Sequence, residues 1–147
     1  MLTPETAALL YAVNRAVIGL RGAYRAWSAL HGISYHEMLV LYTIREYGFC
    51  TQKRICESYL LPRQTINNVI ARMREAGLLA HSRADSCGRE KAFVLTESGR
   101  QYAAPLLASM DAVEMRAVSR LSEEKLREMT RLVLEYDEAL AAALEED

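Results

Sequence analysis

The amino-acid sequence predicts a mainly α-helical chain with one small β-hairpin, on three observations. Apolar residues recur at steps of three and four through most of the 147 residues, the period of helices that bury one face. Between Leu79 and Leu95 that period gives way to alternation on either side of "ADSCG", which predicts two short strands joined by a turn. Just before the hairpin, two short helical patterns meet across "LLP", a helix-turn-helix arrangement.

Taken in order, Pro4 to His31 reads as one long helix. Leu10, Val13, Val17, Leu20, Tyr24 and Trp27 alternate steps of three and four along it, which is heptad spacing. Gly32 stands just past its last turn. Ser34 and Glu37 form an S-x-x-E capping pattern, Met38, Leu41 and Ile44 continue the apolar stripe, and Gly48 stops it. Thr51 is the candidate N-cap of "QKRICESY", with Ile55 pointing inward. "RQTINNVIARMREA" follows, closed by Gly77, and its Ile66, Val69, Ile70 and Met73 define a buried face. The hairpin is expected over Leu79–Arg83 and Lys91–Leu95. Helix restarts at Thr96 and runs to about Arg120. Ser122 caps the last helix, where Leu126, Met129, Val133, Tyr136 and Leu140 again step by three and four.

The composition, 51% apolar and 25% charged, suits a folded domain. No apolar run approaches 18 residues, and "MLTPETAALL" does not have the pattern of a signal peptide. Three cysteines without a CxxC argue against a disulfide framework, so a reducing, cytoplasmic setting is expected. The net charge of −1 conceals an asymmetry. Residues 53–91 hold eight Lys/Arg against four acids, whereas 111–147 hold eleven acids against five bases. A near-neutral total is therefore no argument against a polyanionic partner.

The exposed face of "RQTINNVIARM" is unusual for a helix. Arg63, Gln64, Asn67, Asn68 and Arg72 crowd it, although Asn and Thr are mediocre helix formers. Base-edge contact in a DNA major groove accounts for them, because amides pair with adenine and guanidiniums with guanine. On this reading Gln64, Thr65, Asn67 and Asn68 read bases, and Arg63 and Arg72 reach bases or phosphates. Thr51, Gln52 and Lys53, opening the preceding helix, hold phosphate. Arg83, Arg89 and Lys91 flank the hairpin turn, placed for a neighbouring minor groove.

These stretches resemble the MarR-type winged helix-turn-helix regulators along nearly the whole chain, most specifically in "TQKRICESYLLPRQTINNVIARMREAGLL" and "GREKAFVLTESG". The resemblance implies a homodimer with interlocking N- and C-terminal helices, and puts Arg89 at the wing arginine that enters the minor groove. It divides the chain into a helical dimerisation region, 1–33 with 97–147, and a DNA-binding lobe, 34–96, intertwined as one domain. A palindromic operator with half-sites about 10 bp apart, or a multiple of that, follows from two-fold symmetry. Cys87 departs from the family, which commonly has Asp two residues before the wing arginine; Asp85 is the alternative acid.

The resemblance also implies a small aromatic or phenolic ligand beneath the DNA-binding lobe, and with it a repressor released by that ligand. Tyr24, Trp27, Tyr35, Met38 and Tyr42 are the candidate walls, with Arg21 and His31 as partners for a carboxylate or phenolate. Two alternatives are a regulator that senses oxidants through Cys87, beside Arg83 and Arg89, and a winged-helix module whose basic face meets protein. His31, His36, His81 and Glu37 show no metal-ligand spacing, and no cofactor is expected. Neither a phosphate loop nor a nucleophile elbow occurs, so no enzyme activity is expected.

Overall fold

The computed structural model describes residues 1–146, which form six helices and three strands. In chain order these are α1 (Pro4–Leu30), α2 (Tyr35–Tyr47), β1 (Cys50–Thr51), α3 (Gln52–Tyr59), α4 (Arg63–Glu75), β2 (Leu79–Cys87), β3 (Glu90–Leu95), α5 (Glu97–Leu121) and α6 (Glu123–Glu145). The helical boundaries follow local chemistry. Side-chain oxygens of Ser34, Thr51 and Ser122 accept from Glu37 N at 3.0 Å, Arg54 N at 3.1 Å and Lys125 N at 3.3 Å, each satisfying a donor that the first helical turn leaves free. Thr96 does the same for Gly99 N at 2.9 Å. The carboxylate of Glu37 accepts a hydrogen bond from Tyr102 Oη at 2.6 Å, tying α2 to α5. Burial and that bond push the Tyr102 phenol up to about 12.

The core lies where α2, α3 and α4 meet. Val40, Leu41, Ile55 and Ile66 are fully enclosed there, and Val69, Ile70 and Met73 join them. The apolar stripe expected of α4 is therefore its buried face. Fully burying such a side chain contributes about 1.5–3 kcal/mol, so this stripe anchors α4 and leaves its polar side outward.

The sheet is antiparallel in the order β1-β3-β2. Cys50 pairs with Phe93 and Thr51 with Ala92, while β2 pairs with β3 from Leu79↔Leu95 to Ser82↔Ala92 and again at Cys87↔Glu90. The hairpin is longer than expected, and its turn is Gly88–Arg89 rather than "ADSCG". The register shifts between Ser82 and Cys87, and Ser86 Oγ replaces part of the ladder there. It accepts from Ala92 N at 2.9 Å and donates to Ser82 O at 2.5 Å. Gly88 supplies the positive φ of 56° that the turn needs. β1 was not expected at all. Gly99 permits α5 to start against Leu78, since a Cβ there would lie 2.0 Å from the Leu78 carbonyl oxygen.

The described residues divide into two compact units, Met1–Leu106 and the residues from Leu107 onward. In the first, the heptad seam of α1 ends in buried Trp27 but is open above it: Val13, Val17 and Leu20 are 39–55% exposed. In the second, α6 buries no residue. Its Met129, Val133, Tyr136 and Leu140 are 38–49% exposed, while Arg127 and Arg131 pair with acids along the helix. Each seam is thus left partly exposed.

Candidate nucleic-acid interface and ligand cleft

With its apolar stripe buried, α4 presents two polar stripes. Arg63, Asn67 and Arg74 face a cleft of about 800 Å³ shared with Gln52, Lys53, Arg89, Glu90 and Lys91. Thr65, Asn68 and Arg72 border a second cavity on the α2 side, with Ser34, His36 and Glu75; Asn68 lines both. The helix-turn-helix and the wing thus converge on one concave surface. Arg63, Arg72, Arg83, Arg89 and Lys91 are exposed, and among the described residues none of them forms an ion pair. Lys53 is 3.9 Å from Glu57 one helical turn on. Exposed cations without an ion-pair partner, beside amides, are the kind of donors that phosphates and base edges accept from.

Some of the expected contacts are engaged within the protein. Thr51 is buried, 6% exposed; its hydroxyl caps α3 and donates to Glu90 Oε1. Gln52 Nε2 donates to Arg63 O at 2.9 Å, fixing the entry to α4. Gln64 Nε2 donates to Asn68 Oδ1 at 3.1 Å, and Thr65 is half-buried. Asp85 is held by Ser82, whose hydroxyl donates to it at 2.6 Å, and among the described residues no arginine pairs with it. Two participants escaped sequence reasoning: Arg74, which packs over Phe93 at 5.4 Å, and Glu90. Arg74 stands seven residues after Asn67, a helical repeat that marks the same face.

A second, mostly apolar cleft of about 210 Å³ opens between α1, α2 and the end of α3. The structure brings Arg21, Tyr24, Tyr35, Met38 and Tyr42 together there, and adds Leu20, Leu39 and Tyr59. Tyr59 lies four residues after buried Ile55, so the helical period already put it inward. Tyr24 and Tyr42 meet edge to face, centroids 6.5 Å apart at 82°, and the Arg45 guanidinium covers Tyr42 at 4.0 Å. Trp27 and His31 do not line this cleft. They stack on one another, with centroids 4.1 Å apart, and Trp27 is a core residue whose indole N–H finds no acceptor among the described residues. Met38 is 4% exposed, so it contributes to the floor more than to the opening. A cavity of roughly 150 Å³ accommodates benzene, so this cleft matches a single substituted ring.

All three cysteines are free. Burial pushes the Cys50 thiol up to about 12 and raises that of Cys56 as well, which makes both poor nucleophiles. Cys87 is exposed in the wing.

Residues 31–90 match the MarR family model. Over almost its full length the chain is similar to a MarR family regulator from Neisseria meningitidis, at 28% identity and a TM-score of 0.76, covering 94% of each chain. It shares the fold of NadR in complex with 4-hydroxyphenylacetate, at 16% identity, TM-score 0.73, with 92% of this chain and 96% of that one covered. The same holds for a Mycobacterium tuberculosis MarR family protein in complex with salicylic acid, at 24% identity, TM-score 0.63 and coverage of 87% and 95%. No curated protein matches by sequence. Residues 31–90 thus resemble the MarR family by sequence, and the chain has the winged helix-turn-helix fold of MarR family regulators.

Proposed function

We propose that the protein is a homodimeric repressor that binds palindromic double-stranded DNA and is released by a small aromatic acid or phenol. The observation that carries this reading is the convergence of unpaired Arg63, Arg89 and Lys91 with Asn67 and Asn68 on one cleft between α4 and the wing. Asn67 and Asn68 read bases in the major groove, Arg63 and Arg72 contact bases or phosphate, and Arg83, Arg89 and Lys91 serve the adjacent minor groove. Lys53 and the start of α3 meet the backbone, and Thr51 supports them from within through its cap. The open seams of α1 and α6 are the surfaces a second copy covers.

The tyrosine-lined cleft is the signal input. Its four phenols and single lining cation, Arg21, suit one aromatic ring with one acidic substituent. Ligand bound there favours a recognition-helix spacing that does not fit the operator, so DNA and ligand exclude one another in proportion to their differential affinities. The test is footprinting on the region upstream of the protein's own coding sequence, with and without 4-hydroxyphenylacetate or salicylate. Two protected half-sites centred about 10 bp apart, or a multiple, and loss of protection with ligand are expected. Protection without symmetry, or insensitivity to both acids, contradicts the dimeric-operator and aromatic-ligand parts respectively.

A further inference from the structure

Glu90 is out of place on a surface that meets phosphate. It is half-buried between Arg89 and Lys91 and lines the cleft of the recognition face. A negative charge there opposes DNA, so its presence calls for a structural return. That return is visible at its other end, where Thr51 Oγ1 donates to the Glu90 carboxylate. The same Thr51 oxygen accepts from Arg54 N and so opens α3.

The sheet shows why this bond matters. β1 ends at Thr51, which pairs with Ala92, so no backbone ladder joins the wing to the body beyond that point. Arg89 lies three residues further out, about 10 Å at the rise of a strand. The ladder between β2 and β3 is also interrupted there, between Ser82 and Cys87, and a two-stranded ribbon alone is marginally stable. The Thr51–Glu90 bond ties the outer wing to the N-terminus of α3 across this gap.

We infer that Glu90 is a positioning residue for DNA recognition: through Thr51 it sets the wing at the angle that delivers Arg89 to the duplex while α4 occupies the groove. The inference rests on the DNA-binding reading, and it differs in sign from the effect of a mere surface acid. Were Glu90 only a solvated carboxylate, removing it would strengthen binding to a polyanion. As a tether, its removal weakens binding although the charge product improves.

The experiment measures the affinity of wild type, Glu90→Ala, Glu90→Gln, Arg89→Ala and Arg89→Ala/Glu90→Ala for a fluorescein-labelled duplex of the protein's own upstream region, across a salt series. Melting temperature and solution mass of each variant are measured alongside. Glu90→Gln keeps an acceptor for Thr51 and drops the charge, so it is expected to bind as tightly as wild type or tighter. Glu90→Ala is expected to bind about tenfold more weakly, the scale of one lost hydrogen bond. Its salt slope should fall by about one, as in Arg89→Ala, and the double variant should be little worse than either single one. Equal or tighter binding by Glu90→Ala overturns the inference. So do equal losses in the Gln and Ala variants, strictly additive losses with Arg89→Ala, or a loss that follows a lowered melting temperature. If wild type itself binds no DNA, the reading beneath falls, and this inference with it.

Discussion

Arg89 follows the glycine of the wing turn, exposed and with no acid paired to it among the described residues, whereas Arg127 and Arg131 each hold a carboxylate one turn away on α6. That difference separates a cation available to a partner from one that decorates a solvated helix. Arg89→Ala is therefore expected to weaken DNA binding by about tenfold and lower the salt slope by about one, with the solution mass unchanged by light scattering. Asn67→Ala should lose discrimination between operator and scrambled duplex more than it loses non-specific affinity; equal losses would make Asn67 a phosphate contact. Leu60 tests the backbone instead. It is the C-cap of α3, at φ 51° and ψ 51°, and is 83% exposed. A side chain in that left-handed region is strained, and little apolar contact is lost with it. Leu60→Gly is expected to raise unfolding free energy by roughly 0.5 kcal/mol, the relief being partly offset by the freer unfolded chain. A loss of stability in urea denaturation would contradict this.

At the scale of elements, the amphipathic helices were legible because apolar period, cap and stop signal agreed, as at Thr51, Ile55 and Gly77. The wing was less so. "ADSCG" has turn composition, yet Asp85 and Ser86 lie in β2 because Ser86 Oγ substitutes for ladder partners, a tertiary role that composition does not announce. β1 is two residues long, too short for any period. The cleft was half legible: its tyrosines on α1 and α2 stood out, but Trp27 was assigned to it although the core claims that residue. Thr51 was read as a phosphate contact from its place at a helix start, and the same place made it a buried cap. α2 offers a further test. His36 sits in its first turn, where burial and the Arg25 charge hold its pKa below the ordinary 6.5, and the positive end of the helix acts in the same direction. The unfolded chain thus binds the proton more readily, so stability declines as pH falls through 6.5 toward the lower folded value. Unfolding midpoints at pH 7.5 and 5.5 should differ less in His36→Gln than in wild type. An unchanged difference would remove His36 from the account.

On the scale of the whole molecule, α1 and α6 each carry a partly exposed apolar seam, and a helix with no buried residue lacks the packing from which most helical stability comes. A second copy covering α6 accounts for Met129, Val133, Tyr136 and Leu140 together. Val133→Glu should then convert the protein to a monomer in light scattering and lower its melting temperature, which should also cease to depend on concentration. A monomeric wild type would contradict the pairing. The proposed operator reading and ligand release both rest on one claim: that the cations and amides of α4 and the wing face DNA. Fluorescence anisotropy of the pure protein on its own upstream duplex, with a scrambled duplex alongside and salt raised from about 50 to 200 mM, tests that claim most directly. Tight, operator-selective binding whose affinity falls by orders of magnitude over that range is predicted, as for several neutralised phosphates. Binding that is weak, indifferent to sequence and flat with salt would contradict it and turn the basic face toward a protein partner.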